Sequence, residues 1–345
     1  MGQYSFFDHE NRLHSISKLG DPLERLVAAI PWEIFRPLLE PVHERERKSN
    51  AGRKPFDVVL MFKILILQTL YNLADEQVEY QIRDRLSFAR FLGLGIEDAV
   101  PDATTVWRFC ERLKELGLID TLFDRFGDFL AAAGYHAREG QIVDASIVPV
   151  PIQRNQREEN RRIKEGEVPA DWSGAKRAQK DVEGRWTGKG GKKYFGYKNH
   201  IGVDAEHKLI RTFAATPANV HDSRALDDPI DPDNEDPGVW ADSAYRSEET
   251  ERVLEDAGYD SHINEKGHRT HPLTDEQQAN NRKRSKIRSR VEHVFGFQEN
   301  SMKGKFIRTI GLARAEVKIG LMNLTYNLMR YLQLTKGRKG APVVA

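Results

Sequence analysis

The stretch Gly140-Gln-Ile-Val-Asp144-Ala-Ser-Ile-Val-Pro149 constrains this chain more than any other. Val143, Ile147 and Val148 favour a strand, and Pro149 and Pro151 stop it. A carboxylate stands in its middle. An unpaired buried charge is costly. Asp144 is therefore a satisfied polar group or strand-end cap, the partner of a cation, or the ligand of a metal ion. What the rest of the chain brings to this strand decides between them.

Before it, the sequence reads helical. After an irregular opening, Asp21-Pro22 starts a helix, with Asp as N-cap and Pro at the first helical position. A short helix follows around Trp32 to Leu39. His43 to Lys54 is polar and basic, either a solvated loop or an arm that contacts phosphates. Pro55 to Leu73 is a strongly apolar helix, and Asp75 to Leu92 is another. A capped helix beginning at Asp102-Ala-Thr-Thr carries Trp107, Arg108 and Arg112. Such a bundle is compatible with a helix-turn-helix reader of DNA, although many small bundles bind none. This predicts an all-helical domain over residues 1–135.

The composition then changes. From Gln153 to Lys193 almost nothing is apolar, and basic residues crowd a Gly-rich segment. Such a segment does not bury enough surface to fold alone. It is expected to be a disordered insertion, or a loop that orders on an anion. Its place directly after Asp144 favours a polyanion near that carboxylate. Tyr197 to Val203 and Lys208 to Ala214 read as strands joined by a turn at Asp204-Ala-Glu-His. Gly238-Val-Trp-Ala-Asp242 is another short strand, Ser247 to Ala257 a helix, and Asp260 to Ile263 one more strand. From Asp275 the chain is helical and very basic, and a last apolar helix spans Ala315 to Leu334. The second domain is thus expected at 136–335, with a basic insertion at 152–193 and a loose tail at 336–345.

Global charge says little, because 53 Lys and Arg nearly balance 52 Asp and Glu. One cysteine, Cys110, excludes intramolecular disulfides and Cys-rich zinc sites and fits a reducing compartment. No leader-like pattern opens the chain. The most apolar run carries Lys63 and Gln68 and is too short for a bilayer. A soluble, cytoplasmic, nucleoid-associated protein with no membrane partner is expected.

Three acids stand where an acid is unexpected: Asp144 mid-strand, Asp242 at a strand end, and Glu292 inside the most basic helix. Two strand carboxylates and one helix carboxylate can converge at the edge of a mixed sheet. Oxygen ligands of this kind hold magnesium or manganese. Two such ions about 3.5–4 Å apart serve phosphodiester chemistry. Each acid also has an ordinary reading. Glu292 has i,i+4 spacing from Arg288 for an intrahelical ion pair, and Asp242 precedes Ser243 as a turn former.

Five motifs occur in order: Val143-Asp144-Ala-Ser, Tyr194-Phe-Gly-Tyr-Lys-Asn-His-Ile-Gly-Val-Asp204, Thr216-Pro-Ala-Asn-Val-His-Asp-Ser223, Ala241-Asp-Ser-Ala-Tyr245, and Arg288-Ser-Arg-Val-Glu292-His-Val-Phe-Gly296. Together they resemble the DDE transposases of bacterial insertion sequences, in the insertion-sequence-five-like group. Arg53-Lys-Pro-Phe-Asp-Val-Val to Arg112 resembles the N-terminal domain fused to those enzymes. The resemblance implies an α/β fold, an RNase H-like mixed-sheet catalytic domain preceded by an all-helical domain. It implies that Asp144, Asp242 and Glu292 are catalytic and bind Mg2+ or Mn2+, as two ions. One signature departs from the family: the Tyr and Lys that flank the Arg and Glu in relatives are Ser285 and Glu299 here, with Lys303 and Lys305 close by.

The implied activity is cutting and joining DNA at the terminal inverted repeats of an insertion sequence, by a homodimer or larger assembly on double-stranded DNA. The residues expected on DNA are Arg108, Arg112, Lys192, Lys193, Lys198, Arg284, Lys286, Arg288, Lys303 and Lys305. The alternatives are a non-catalytic repressor derived from a transposase and a stand-alone metal-dependent nuclease.

Overall fold

The computed structural model describes residues 8–44, 54–226, 229–267, 270 and 272–336. Most of the basic stretch from His43 to Lys54, and the tail beyond Lys336, lie outside the described residues. Contacts divide the chain into two units, Met1–Phe129 with Leu324–Ala345, and Leu130–Asn323.

The first unit is helical: α1 (Asp8–Lys18), α2 (Pro22–Ala29), α3 (Arg36–Leu39), α4 (Val58–Leu70), α5 (Asp75–Asp84), α6 (Leu86–Leu92), α7 (Ala103–Glu115) and α8 (Leu118–Ala132). Helix α4 is apolar on every side, and Val58, Met61, Phe62, Ile64, Leu65, Ile66 and Leu67 are buried, which marks it as the centre of a bundle rather than a surface helix. Asp57 caps it, accepting from the amides of Val59 and Leu60. Around it Trp32, Phe35, Phe62 and Phe91 pack edge-on or tilted, with centroids 4.9–6.4 Å apart. Asp21 caps α2 and takes Arg90 of α6 at 2.5 Å.

Two expectations are corrected here. The described part of the opening is not irregular: α1 forms over Asp8–Lys18, but none of its residues is buried, so it lacks the apolar stripe that reveals a helix in sequence. The expected single helix over Asp75 to Leu92 is two, because Arg85 is extended (φ −105°, ψ 115°).

The second unit is built on a sheet of six strands among the described residues: β1 (Gln141–Pro149), β2 (Arg185–Lys189), β3 (Lys192–Asp204), β4 (Ile210–Pro217), β5 (Gly238–Trp240) and β6 (Asp260–Ser261). Strand β1 is central. It runs antiparallel to β3 on one side and parallel to β5 on the other, β4 pairs with β3, and β6 pairs parallel with β5. Four strands joined antiparallel (β1 to β4), extended by β5 and β6 in parallel, form the mixed, RNase H-like sheet that the resemblance implies. Gly202 of β3 cannot be replaced without movement, since a Cβ there would lie 1.9 Å from the Pro229 carbonyl.

The basic insertion is ordered, against expectation. It contains α9 (Arg157–Lys164) and α10 (Gly174–Ala178) before β2. Its few apolar residues and its own acids do the work. Ile163 and Trp172 are buried, and Glu159 accepts from Trp172 Nε1 and Lys176. Asp181 is buried and receives the Tyr197 hydroxyl on both oxygens at 2.8 Å, along with the Gly184 and Gly311 amides. Expecting disorder from low apolar content overlooked this one buried carboxylate, which pins the insertion to β3. The end of the insertion is not a loop but the hairpin β2–β3, turned at Gly190-Gly191, both with positive φ (57° and 76°), as a tight hairpin requires.

The remaining helices are α11 (Glu248–Asp256), α12 (Asp275–Arg288), α13 (Val291–Gly296) and α14 (Leu312–Thr335). A turn at Ser289-Arg290 separates α12 from α13, and a π-helical segment, Phe297–Ser301, follows. Asn323 of α14, fully buried, exchanges amide hydrogen bonds with Asn199 of β3 (2.8 and 3.0 Å) and accepts from Gln298. The sequence alone puts a single second domain at 136–335, whereas contacts group Leu324 onward with the first unit. Tyr331 meets Phe126 and Phe129 edge-on there. No single helix among the described residues is long and apolar enough to cross a membrane.

Candidate active site

Strands β1 and β5 are parallel neighbours, with Gln141 opposite Val239 and Ile142 opposite Trp240. Two residues past the end of that ladder, each strand continues to an acid, Asp144 on one and Asp242 on the other, and the Asp242 charge acts on Asp144. Side chains two residues apart share a face, so both acids emerge on one side, past the point where the ladder ends. The carboxyl ends of parallel strands are where open α/β sheets bind ligands. The third acid comes from α13. Its buried Val291 and Val294 seat that helix, and Glu292 between them is exposed.

All three acids line one cavity of about 660 Å³. Its other walls include Arg288, Lys189, Lys192, Tyr194, Glu299 and Lys305. On the hairpin, Lys189, Lys192 and Tyr194 lie on one face, because Lys189 pairs with Lys192 and Thr187 with Tyr194. Trp186 lies in the alternate register, packs on Phe195 and is 48% exposed. Lys305 reaches the cavity in an ion pair with Glu299.

Asp144 is 16% exposed and carries an ion pair: Arg288 Nη1 donates to its Oδ2 at 2.8 Å. Its Oδ1 accepts the Ala145 amide, also at 2.8 Å. Burial pushes its carboxyl up to about 6 from the ordinary 3.8, with Asp242 adding to the rise, and the Ala145 amide, Arg288 and Lys189 opposing it. Arg288 thus faces Asp144 and makes no intrahelical pair with Glu292 among the described residues. The turn at Ser289-Arg290 interrupts the i,i+4 geometry that pair would need. Asp242 accepts the Ala244 amide at 2.6 Å, the turn bond its sequence suggested. Tyr245 is 1% exposed, and its hydroxyl has no hydrogen-bond partner among the described residues. Burial raises its phenol well above the usual value, and the charges of Asp144, Asp222 and Asp242 raise it further.

The other expected DNA contacts are distributed unevenly. Lys192, Arg288 and Lys305 line the cavity. Lys193, Lys286 and Lys303 are exposed. Lys198 is 12% exposed and donates to Asp222 and the Val220 carbonyl, both at 2.6 Å. Arg284 donates to the Ile263 carbonyl at 2.8 Å. In the first unit Arg108 is exposed on α7, while Arg112 pairs with Glu115 at 3.1 Å. Sequence reasoning missed Lys189 and Tyr194 as cavity residues. Their signal was the Gly190-Gly191 turn between two basic strands, which fixes which side chains share a face. Asp204 is the turn residue expected: it accepts the His207 and Leu209 amides and pairs with Arg211 at 3.1 Å. His221 caps the short turn that begins at Asp222.

Carboxylate oxygens on one wall suit a hard divalent cation. As placed, no three His, Cys, Asp or Glu side chains among the described residues lie close enough together to enclose one. Arg288 supplies the positive charge at Asp144.

No solved structure matches the chain. Two family models match it: the one described as a transposase DDE domain over residues 135–328, more than half of the chain, and the one described as a transposase domain (DUF772) over residues 11–112. The first contains the whole sheet and the three cavity acids, and the second contains most of α1, α2 to α6 and most of α7. The chain therefore belongs to the DDE transposases of insertion sequences, and it is a DNA transposase, a polynucleotidyl transferase.

Proposed function

We propose that this transposase, of the insertion-sequence-five-like group, cuts and joins DNA at the terminal inverted repeats of its element, with Asp144, Asp242 and Glu292 holding Mg2+ or Mn2+. The observation that carries this reading is the register of β1 and β5, which sets two acids from distant motifs side by side in the cavity that Glu292 also lines. The donor set fits in type: three carboxylates, with no cysteine or histidine among the cavity's lining residues. Two bound ions would supply activation of the attacking oxygen and stabilisation of the leaving one.

The chain's own residues have separate tasks. Lys189 and Lys192 on the hairpin, and Lys305 beside Glu299, attract the phosphate backbone to the acids. Arg288, with the Ala145 amide, opposes the rise that burial gives the Asp144 carboxyl. Tyr194 presents an aromatic ring at the cavity wall. No side chain needs to act as a covalent nucleophile, because water and then the freed 3′-hydroxyl attack in line. Arg108 and Arg112, on the capped helix α7, belong to the unit proposed to recognise the element ends. Joining two ends calls for a dimer or a larger assembly.

The test uses the full chain, DNA carrying the inverted repeats that flank its gene, and Mg2+. Wild type gives nicked and joined products. Asp144→Ala binds the same DNA and gives neither. Cleavage that survives Asp144→Ala overturns the triad. Nicks without joined molecules point to a stand-alone nuclease, and binding without any cleavage by wild type points to a repressor.

A further inference from the structure

The ion pair between Arg288 and Asp144 is incomplete. One guanidinium nitrogen donates to one carboxylate oxygen, whereas a fully engaged arginine grips a carboxylate with two parallel bonds. The second oxygen of Asp144 is held by the Ala145 amide. The Arg288 Nε is buried and has no hydrogen-bond partner among the described residues. A buried donor left unpaired is a standing cost, so the guanidinium is not at its best site. Arg288 is also the last residue of α12, ahead of the turn at Ser289-Arg290, so its side chain can swing without shifting a helix turn on either side.

A phosphodiester entering this cavity would be a better acceptor. It matches the planar fork of arginine and can take two of its N–H groups. Lys189 and Lys192, exposed on the facing hairpin, draw such an anion into the same cavity. While the guanidinium holds Asp144 Oδ2, a divalent ion has to compete with a positive charge for that oxygen.

We propose that Arg288 is an exchangeable counter-ion of Asp144: a phosphodiester draws it off, the carboxylate is then open to a divalent cation, and the two ligands strengthen each other's binding. This rests on Asp144 being a metal ligand, as proposed above. Linkage makes the effect reciprocal, so DNA tightens metal binding by the factor by which metal tightens DNA binding.

The experiment measures Mn2+ binding to the full-length protein at pH 8, by electron paramagnetic resonance of the free ion, with and without a short DNA duplex. Wild type is expected to gain roughly tenfold in Mn2+ affinity when DNA is present, within the usual range for coupled sites. Arg288→Gln is expected to bind Mn2+ roughly tenfold more tightly than wild type without DNA, and to gain little from DNA. A variant no tighter than wild type, or a wild type indifferent to DNA, overturns the proposal. Arg288→Lys, which keeps the charge but loses the fork, should fall between them, and it serves with the wild-type comparison if Arg288→Gln does not fold. Asp144→Asn separates the two readings. If it binds Mn2+ as wild type does, the metal site itself is misassigned. If it loses binding while Arg288→Gln changes nothing, the exchange alone is wrong.

Discussion

Replacing Asp144 by asparagine tests how the fold treats the charge at the centre of β1. In the folded protein the carboxyl titrates near 6 instead of 3.8, because burial outweighs the Ala145 amide and the Arg288 guanidinium. Since the folded value is the higher one, the folded state takes up the proton more readily than the unfolded chain. Wild-type stability is therefore favoured below about pH 4 and declines as the pH rises through about 6. The gap between 3.8 and about 6 corresponds to roughly 3 kcal/mol. Asparagine stays neutral, keeps an oxygen for the Ala145 amide, and has no such decline. Urea unfolding of both proteins, in chelator and across about pH 4.5 to 8, isolates the effect, because titrations common to the pair cancel in the difference. The stability of Asp144→Asn relative to wild type should rise by about 2–3 kcal/mol over that range. A constant difference refutes the reasoning. So does the opposite trend, wild type gaining on the variant as pH rises, which is what a dominant salt bridge would give.

Three further outcomes follow from the same geometry. Lys189→Ala and Lys192→Ala should each weaken DNA binding evenly across sequences and reduce the salt slope by about 1; anisotropy titrations over a range of KCl concentrations check this, and an unchanged slope counts against the hairpin as a phosphate contact. Asn323→Leu leaves the buried amides of Asn199 and Gln298 short of partners, at about 1–3 kcal/mol for each unpaired group; a loss below 1 kcal/mol in urea unfolding would mean that water replaces the lost bonds. Tyr245→Phe removes a buried hydroxyl without a partner, so metal-free stability should be unchanged or higher by about 1 kcal/mol; a thermal melt showing a clear loss would reveal a partner for that oxygen.

Much of the molecule was legible in its residues because the signals were local. The β-branched run of β1, the Asp21-Pro22 cap and the apolar stripe of α14 (Val317, Ile319, Leu321, Leu324, Leu328, Tyr331) each declare an element within a few residues, and the structure buries that stripe throughout. Where local signals were weak or misleading, the reading failed. Helix α1 has no buried face, and the insertion between Gln153 and Lys193 is ordered by long-range contacts to Tyr197 and Gly311 that composition does not record. The Arg288 and Glu292 spacing looked like an ion pair because i,i+4 assumes an unbroken helix, and the turn at Ser289-Arg290 removes that assumption.

For the candidate site, residue types and their order were enough to single out Asp144, Asp242 and Glu292, since an acid in an apolar strand or a basic helix is chemically out of place wherever it occurs. The partner of each acid was decided only by tertiary structure. Parallel pairing of β1 with β5 put Asp242 beside Asp144, the hairpin brought Lys189, Lys192 and Tyr194 to the same cavity, and the end of α12 delivered Arg288 to the carboxylate at 2.8 Å. Sequence records which charges are present. Electrostatic energy depends on their separation and burial, and both arise only when distant strands and helices pack.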